Sequence, residues 1–262
     1  MKNLFIKTIK YFFPFYLLSG VLVIPLSGNE ASKFDSITNE IEACVFSRAT
    51  RAKTLMTELQ SISKNHPDNM SFAVQTLLWE ARINCLHDVS DSALTAKVLT
   101  AANTWNLSGY PLEQALLGNT LALCHLADGN YTGAFSIALQ ALEQLQQLSN
   151  TSSFMTKILY LLGNICLKTQ NMKMAIDYYK QAFAFAVPGQ REYYSIRLVL
   201  YTYMADMDRR GDFSDSLLAF VPVLEQLQDT SLLITAYFNM GTLFVNMGET
   251  DKGYDYYLLS RD

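Results

Sequence analysis

Charge is scarce in this 262-residue chain: 17% of it is Asp, Glu, Lys or Arg, with 24 acidic residues against 20 basic ones. A formal charge of −4 supplies no basic footprint for a phosphate backbone, so this region is not expected to bind nucleic acid. Histidine is rarer still, with His66, His87 and His125 alone; Asp88 adjoins His87, but adjacency in sequence is not the geometry of a catalytic dyad. The four cysteines, Cys44, Cys85, Cys124 and Cys166, are 41, 39 and 42 residues apart, which leaves no pair at close metal-ligand spacing. Phosphate loops, glycine-rich dinucleotide turns, nucleophile elbows and zinc-protease helices are all missing. No catalytic residue, metal or cofactor is expected, and the chain reads as a non-enzyme. Proline (six residues) and glycine (12 residues) are few, and they collect between long stretches free to form helix.

What is present is a period. Small residues recur at Ala52, Ala93, Ala134, Ala175, Ser216 and Gly253, at steps of 41, 41, 41, 41 and 37 residues. Repetition on this scale indicates a stacked solenoid, because each unit is too small to bury a core alone. Turn signals fall in phase with it. Asp128-Gly129-Asn130, Gly211-Asp212 and Gly248-Glu249 divide a first helix from a second. Asn65-His66-Pro67-Asp68, Gly109-Tyr110-Pro111, Val187-Pro188-Gly189 and Gln228-Asp229-Thr230 divide one unit from the next. Glycine permits a left-handed helix end, and proline suits the next helix start. Pro222 is the exception, inside a second helix, where a kink is predicted. The cysteines echo the repeat near the ends of first helices. Helix axes pack 8–10 Å apart while a disulfide needs Cα atoms within about 7 Å, so free thiols are expected.

The unit around Ala175 reads Leu159-x-x-Leu162-Gly163-x-x-Cys166, then Ala175-x-x-x-Tyr179-x-x-Ala182, then Pro188. The last unit repeats it as Tyr237-x-x-Met240-Gly241-x-x-Phe244, then Gly253-x-x-x-Tyr257. Leu121-Ala122 with Ala134-x-x-x-Ala138-x-x-Ala141 is a further copy, and the unit at Ser216 is a looser one. This pattern resembles the tetratricopeptide repeat. The resemblance covers 34–262, most clearly from about 112 onward. It implies an all-α, right-handed α-solenoid of about six antiparallel helical hairpins. The family's usual unit is ~34 residues. The excess of about seven residues equals two helical turns, so one extra turn on each helix is the preferred explanation.

Arrays of this family usually bind proteins or peptides along a concave face lined by first helices. Offsets from Ala122, Gly163, Met204 and Gly241 then select the candidate groove. It comprises Asn119, Lys157, Tyr160, Asn164 and Lys168, then Leu198, Tyr201, Asp208 and Arg209, and finally Phe238 and Asn246. The second unit adds Gln75, Leu78 and Arg82. Lys157, Asn164, Lys168 and Asn119 loosely resemble the Lys/Asn set with which some members hold a terminal carboxylate, without its full arrangement.

The N-terminus differs from the rest. Lys2, Lys7 and Lys10 precede Tyr11 to Leu26, 16 residues without a charge, and then Ser27-Gly28-Asn29-Glu30. A basic start, a short apolar run and small residues describe residues 1–28 as a signal peptide or an N-terminal membrane anchor through 11–26. Export follows, with the repeat body periplasmic or anchored facing the periplasm. The whole looks like the N-terminal sensor half of bacterial regulators in which long tetratricopeptide repeats precede a membrane helix and a cytoplasmic output. The alternative is a free-standing periplasmic adaptor or assembly scaffold. Tyr254, Tyr256, Tyr257, Leu258 and Leu259 give an apolar last helix where a solenoid wants a polar cap, so further chain or a partner is expected to cover it.

Overall fold

The computed structural model describes residues 28–45, 49–85, 91–149, 151–207, 212–227 and 229–261. They form twelve α-helices and no strand. Six hairpins account for all of them: α1 (Gly28–Cys44) with α2 (Ala49–Asn65), α3 (Met70–Cys85) with α4 (Ser92–Thr104), and α5 (Pro111–Ala127) with α6 (Tyr131–Gln146). The series continues with α7 (Ser152–Lys168) and α8 (Met172–Phe185), α9 (Arg191–Met207) and α10 (Asp212–Gln226), and α11 (Thr230–Asn246) and α12 (Thr250–Arg261). The architecture is an all-α solenoid. Odd-numbered helices lie side by side as one layer, and each even-numbered helix from α6 to α10 joins its own hairpin to the next.

The long period resides in the helices. α5 and α6 contain 17 and 16 residues, together almost the length of the family's whole ~34-residue unit. Their ends are set by the turn residues. Gly129 and Gly248 take φ of 76° and 86°, a left-handed conformation that costs glycine little. The next amide then reaches back five residues to close the helix end: Asn130 N–H to the His125 carbonyl at 2.8 Å, and Glu249 N–H to that of Phe244 at 2.9 Å. This is the Schellman pattern. Asn171 N–H makes the same bond to the Cys166 carbonyl, at 2.8 Å, but Gln170 occupies the left-handed position there, with φ 59°. Asn130 and Asn171 then cap the second helices, accepting from the Gly133 and Met174 amides at 3.0 and 3.3 Å. Gly211 falls outside the described residues, and α10 continues through an exposed Pro222.

The small residues work as crossing points. A Cβ on Gly163 would lie 2.5 Å from the Tyr179 ring, and one on Gly241 would lie 2.6 Å from that of Tyr257. Only the absence of a side chain lets these rings lie flat on the first helix. Each ring is then held in the same way. Tyr179 donates from its hydroxyl to Asn164 Oδ1 at 2.7 Å, and Tyr257 to Thr242 Oγ1 at 3.1 Å. Tyr160 and Phe238 tilt against them with centroids 5.6 and 5.5 Å away. Tyr179 is fully buried, and desolvation pushes its phenol far above the ordinary value.

The second unit departs from this rule. Lys97 stands one period before Ala138 and two before Tyr179, and Glu80 stands where Leu121 and Leu162 stand. The apolar ring and leucine are replaced by an ion pair, Lys97 Nζ to Glu80 Oε2 at 2.6 Å, with the lysine half exposed. α4 accordingly packs mainly on α5 instead of on its own hairpin partner α3. A cleft of about 580 Å³ opens among α2, α3 and α4, with a buried Thr76 hydroxyl on its wall that has no hydrogen-bond partner. Cys124 and Cys166 are buried thiols outside any disulfide, and Cys44 is buried as well. Burial pushes the Cys124 thiol up to about 11. No helix among the described residues is long and apolar enough to cross a membrane. The N-terminal segment 1–27, on which the signal or anchor was expected, lies outside them.

Candidate functional site

The six odd-numbered helices together enclose a cavity of about 950 Å³ on the concave side. Its wall is mostly apolar, from Leu78 and Trp79 on α3, Leu116 and Leu123 on α5, and Phe154 and Leu161 on α7. Set into that wall is a charged centre supplied by four helices. Lys157 Nζ on α7 lies 2.7 Å from Glu42 Oε1 on α1 and 3.9 Å from Glu192 Oε1 on α9. Arg82 on α3 reaches the same two oxygens, at 3.9 Å for Glu42 and 3.4 Å for Glu192. Arg82, Lys157 and Glu192 are largely buried, while Glu42 is 40% exposed. Burial alone would raise the Glu192 carboxyl. The charges of Lys157 and then Arg82 outweigh it and hold that group below its ordinary value.

Neighbouring groups complete the lining. The Arg82 guanidinium lies 4.8 Å from the Trp79 ring centroid, a favourable placement of a cation over an aromatic face. Arg191 donates to Asp229 Oδ2 at 2.7 Å and to Ser195 Oγ at 3.4 Å, which ties α9 to the start of α11. Asn119 is 6% exposed and its Oδ1 is buried with no hydrogen-bond partner. A buried carbonyl oxygen left in that state costs about 1–3 kcal/mol. A donor on an incoming ligand would recover that loss. Paired charges, an unsatisfied amide and an apolar wall are equipment for holding a ligand by complementary contacts.

Of the groove residues selected by offset, Asn119, Lys157, Tyr160 and Asn164 line this cavity, as do Gln75, Leu78, Arg82 and Leu198. Four others do not. Lys168 is exposed at the C-terminal end of α7. Tyr201 is turned into the packing below the groove, edge-on to Phe220 at 5.6 Å, and its hydroxyl accepts from Arg197 Nε at 2.8 Å. Phe238 is 56% exposed and lies against Tyr257, and Asn246 is exposed at the end of α11. Asp208 and Arg209 lie outside the described residues. The cavity also contains Glu42, Trp79 and Glu192, which the offsets missed. Glu192 belongs to the first turn of α9, upstream of the positions that a 34-residue unit projects. The long period was the available signal that a first helix extends there.

Residues 112–186, which build α5 to α8, match the family model of the tetratricopeptide repeat. Tetratricopeptide repeats are thus identified in this central segment. The helical body of the chain is similar to the crystal structure of a Rap protein complexed with competence and sporulation factor. The TM-score is 0.67 at 17% identity, over 88% of this chain and 64% of that one. At that identity the likeness establishes the tetratricopeptide-like fold, and the chain spans less than two thirds of that structure's length. No curated protein matches the chain significantly.

Proposed function

We propose that this chain is a recognition protein that holds a segment of protein or peptide in its concave cavity. The observation that carries the reading is the buried, unpartnered Asn119 Oδ1 within a large, mainly apolar hollow. A peptide backbone offers the N–H donor that this oxygen lacks, and its side chains would seat on Leu78, Leu116 and Phe154. The Rap protein of similar fold, itself complexed with competence and sporulation factor, supports a ligand on a solenoid of this shape. We place the cavity outside the cytoplasm, as the sensor part of a bacterial signalling or transcriptional regulator, on the strength of Lys2, Lys7, Lys10 and the uncharged run 11–26.

Two experiments test this. Peptides selected against the full chain from a random library should lose affinity at least tenfold in Asn119→Ala, measured by calorimetry at unchanged melting temperature. Selected peptides indifferent to that substitution would move the site away from the cavity. A reporter fused after residue 40 should be active only outside the cytoplasm. Activity confined to the cytoplasm would remove the export proposal and leave the binding reading standing.

A further inference from the structure

The four charged residues at the cavity centre are far apart in sequence. Glu42 and Lys157 are separated by 115 residues, and Arg82 and Glu192 by 110. They stand on α1, α3, α7 and α9, yet α1 and α7 are not packing neighbours, nor are α3 and α9. Side chains alone therefore span the hollow from the first two hairpins to the fourth and fifth. We propose that this bridge, Glu42–Lys157–Glu192–Arg82, is a latch that holds the solenoid closed over its cavity, and that releasing it admits the ligand. The inference rests on the cavity's being the binding site.

The energetics suit a latch better than a permanent brace. Two cations face two carboxylates, so the cluster is neutral and each charge has two opposite neighbours. Taking these groups out of water costs nearly as much as their attraction returns, which leaves such clusters close to balance. The geometry is also incomplete. Arg82 Nη1 is buried without a hydrogen bond, and two of the four contacts are as long as 3.9 Å. Glu42 is the most exposed member and the group through which water and salt reach the cluster. α1 and α7 are not packing neighbours, so the charged side chains are what joins them. A solenoid yields readily at such a point, because each unit touches only its neighbours.

Small-angle scattering of the full chain tests the latch without any ligand. The radius of gyration should rise as NaCl goes from about 50 mM to about 500 mM, where surface charges are screened within a few Å. Glu42→Gln and Lys157→Met should already be expanded at low salt and respond little to more. Arg51→Met is the control. It removes an equally short ion pair, Arg51–Glu40 at 2.6 Å, that lies on the surface within the α1/α2 hairpin, and it should behave as wild type. Circular dichroism checks that helix content is kept. A radius that stays constant with salt and in both bridge variants overturns the latch and leaves peptide binding untouched. If the bridge variants expand, peptides selected against the cavity should associate several-fold faster with Glu42→Gln. Expansion with an unchanged association rate makes the bridge a structural brace and overturns its role in admission. Expansion with no cavity-binding peptide at all tells against the proposed function instead.

Discussion

The α7/α8 hairpin and the α3/α4 hairpin occupy equivalent places in the repeat and are built in opposite ways. In α7/α8 a phenol lies across a glycine, Tyr179 on Gly163, is fully buried, and ends in a hydrogen bond to Asn164. In α3/α4 the same register carries Lys97 opposite Glu80. A lysine keeps its ammonium in water even when its stem is covered, so it cannot enter the slot that an aromatic ring fills. The second helix instead finds its apolar partner one unit further along, on α5. An apolar residue at this position, Tyr179 in α8 or the smaller Ala138 in α6, goes with a hairpin that closes on itself, and Lys97 goes with one that opens a cleft.

The difference should be largest on truncation. Tyr179→Ala removes a fully buried aromatic and should cost about 3–5 kcal/mol, whereas Lys97→Ala, at a half-exposed surface pair, should cost no more than about 1 kcal/mol. Urea unfolding of the two variants reads the contrast directly. Equal losses would mean that the ring is not the element that closes its hairpin.

The comparison can also be reversed. Glu80→Leu with Lys97→Tyr restores the apolar pair to the second unit and should stabilise the chain by about 0.5–2 kcal/mol, the range seen for cavity filling. Hydrogen exchange should slow in α4 at the same time. Unaltered exchange there would show that other residues keep α3 and α4 apart.

The smallest effect is expected at the turn. Gln170 adopts the left-handed conformation that Gly129 and Gly248 take in their own hairpins. Gln170→Gly removes a strain of roughly 1 kcal/mol against a comparable loss from added freedom in the unfolded chain, so a gain of a few tenths of a kcal/mol is expected in thermal melts. A clear loss would mean that the Gln170 side chain contributes contacts that outweigh the strain.

Much of the fold was legible in the residues because its determinants are local and repeat. Helix formation, the glycine ends at 129 and 248, and the glycines under Tyr179 and Tyr257 each depend on neighbours within one unit. The open second hairpin was less visible, since the signature small residue Ala93 is retained while the ring is not. The groove was legible in part. Asn119, Lys157, Tyr160 and Asn164 face the cavity, but Lys168, Tyr201, Phe238 and Asn246 do not. Fixed offsets assume that every first helix presents the same stripe, and the ring packing of Tyr201 on Phe220 shows one that is used for core.

By itself, then, the sequence determined the period, the hairpins and the places where backbones cross, all of which follow from short-range sterics and turn chemistry. Only the tertiary structure decided that Glu42, Arg82, Lys157 and Glu192 meet. Their encounter depends on the small rotation from each hairpin to the next, summed over several units. That rotation is set by how individual side chains pack at each interface, and no interval between residues records the sum.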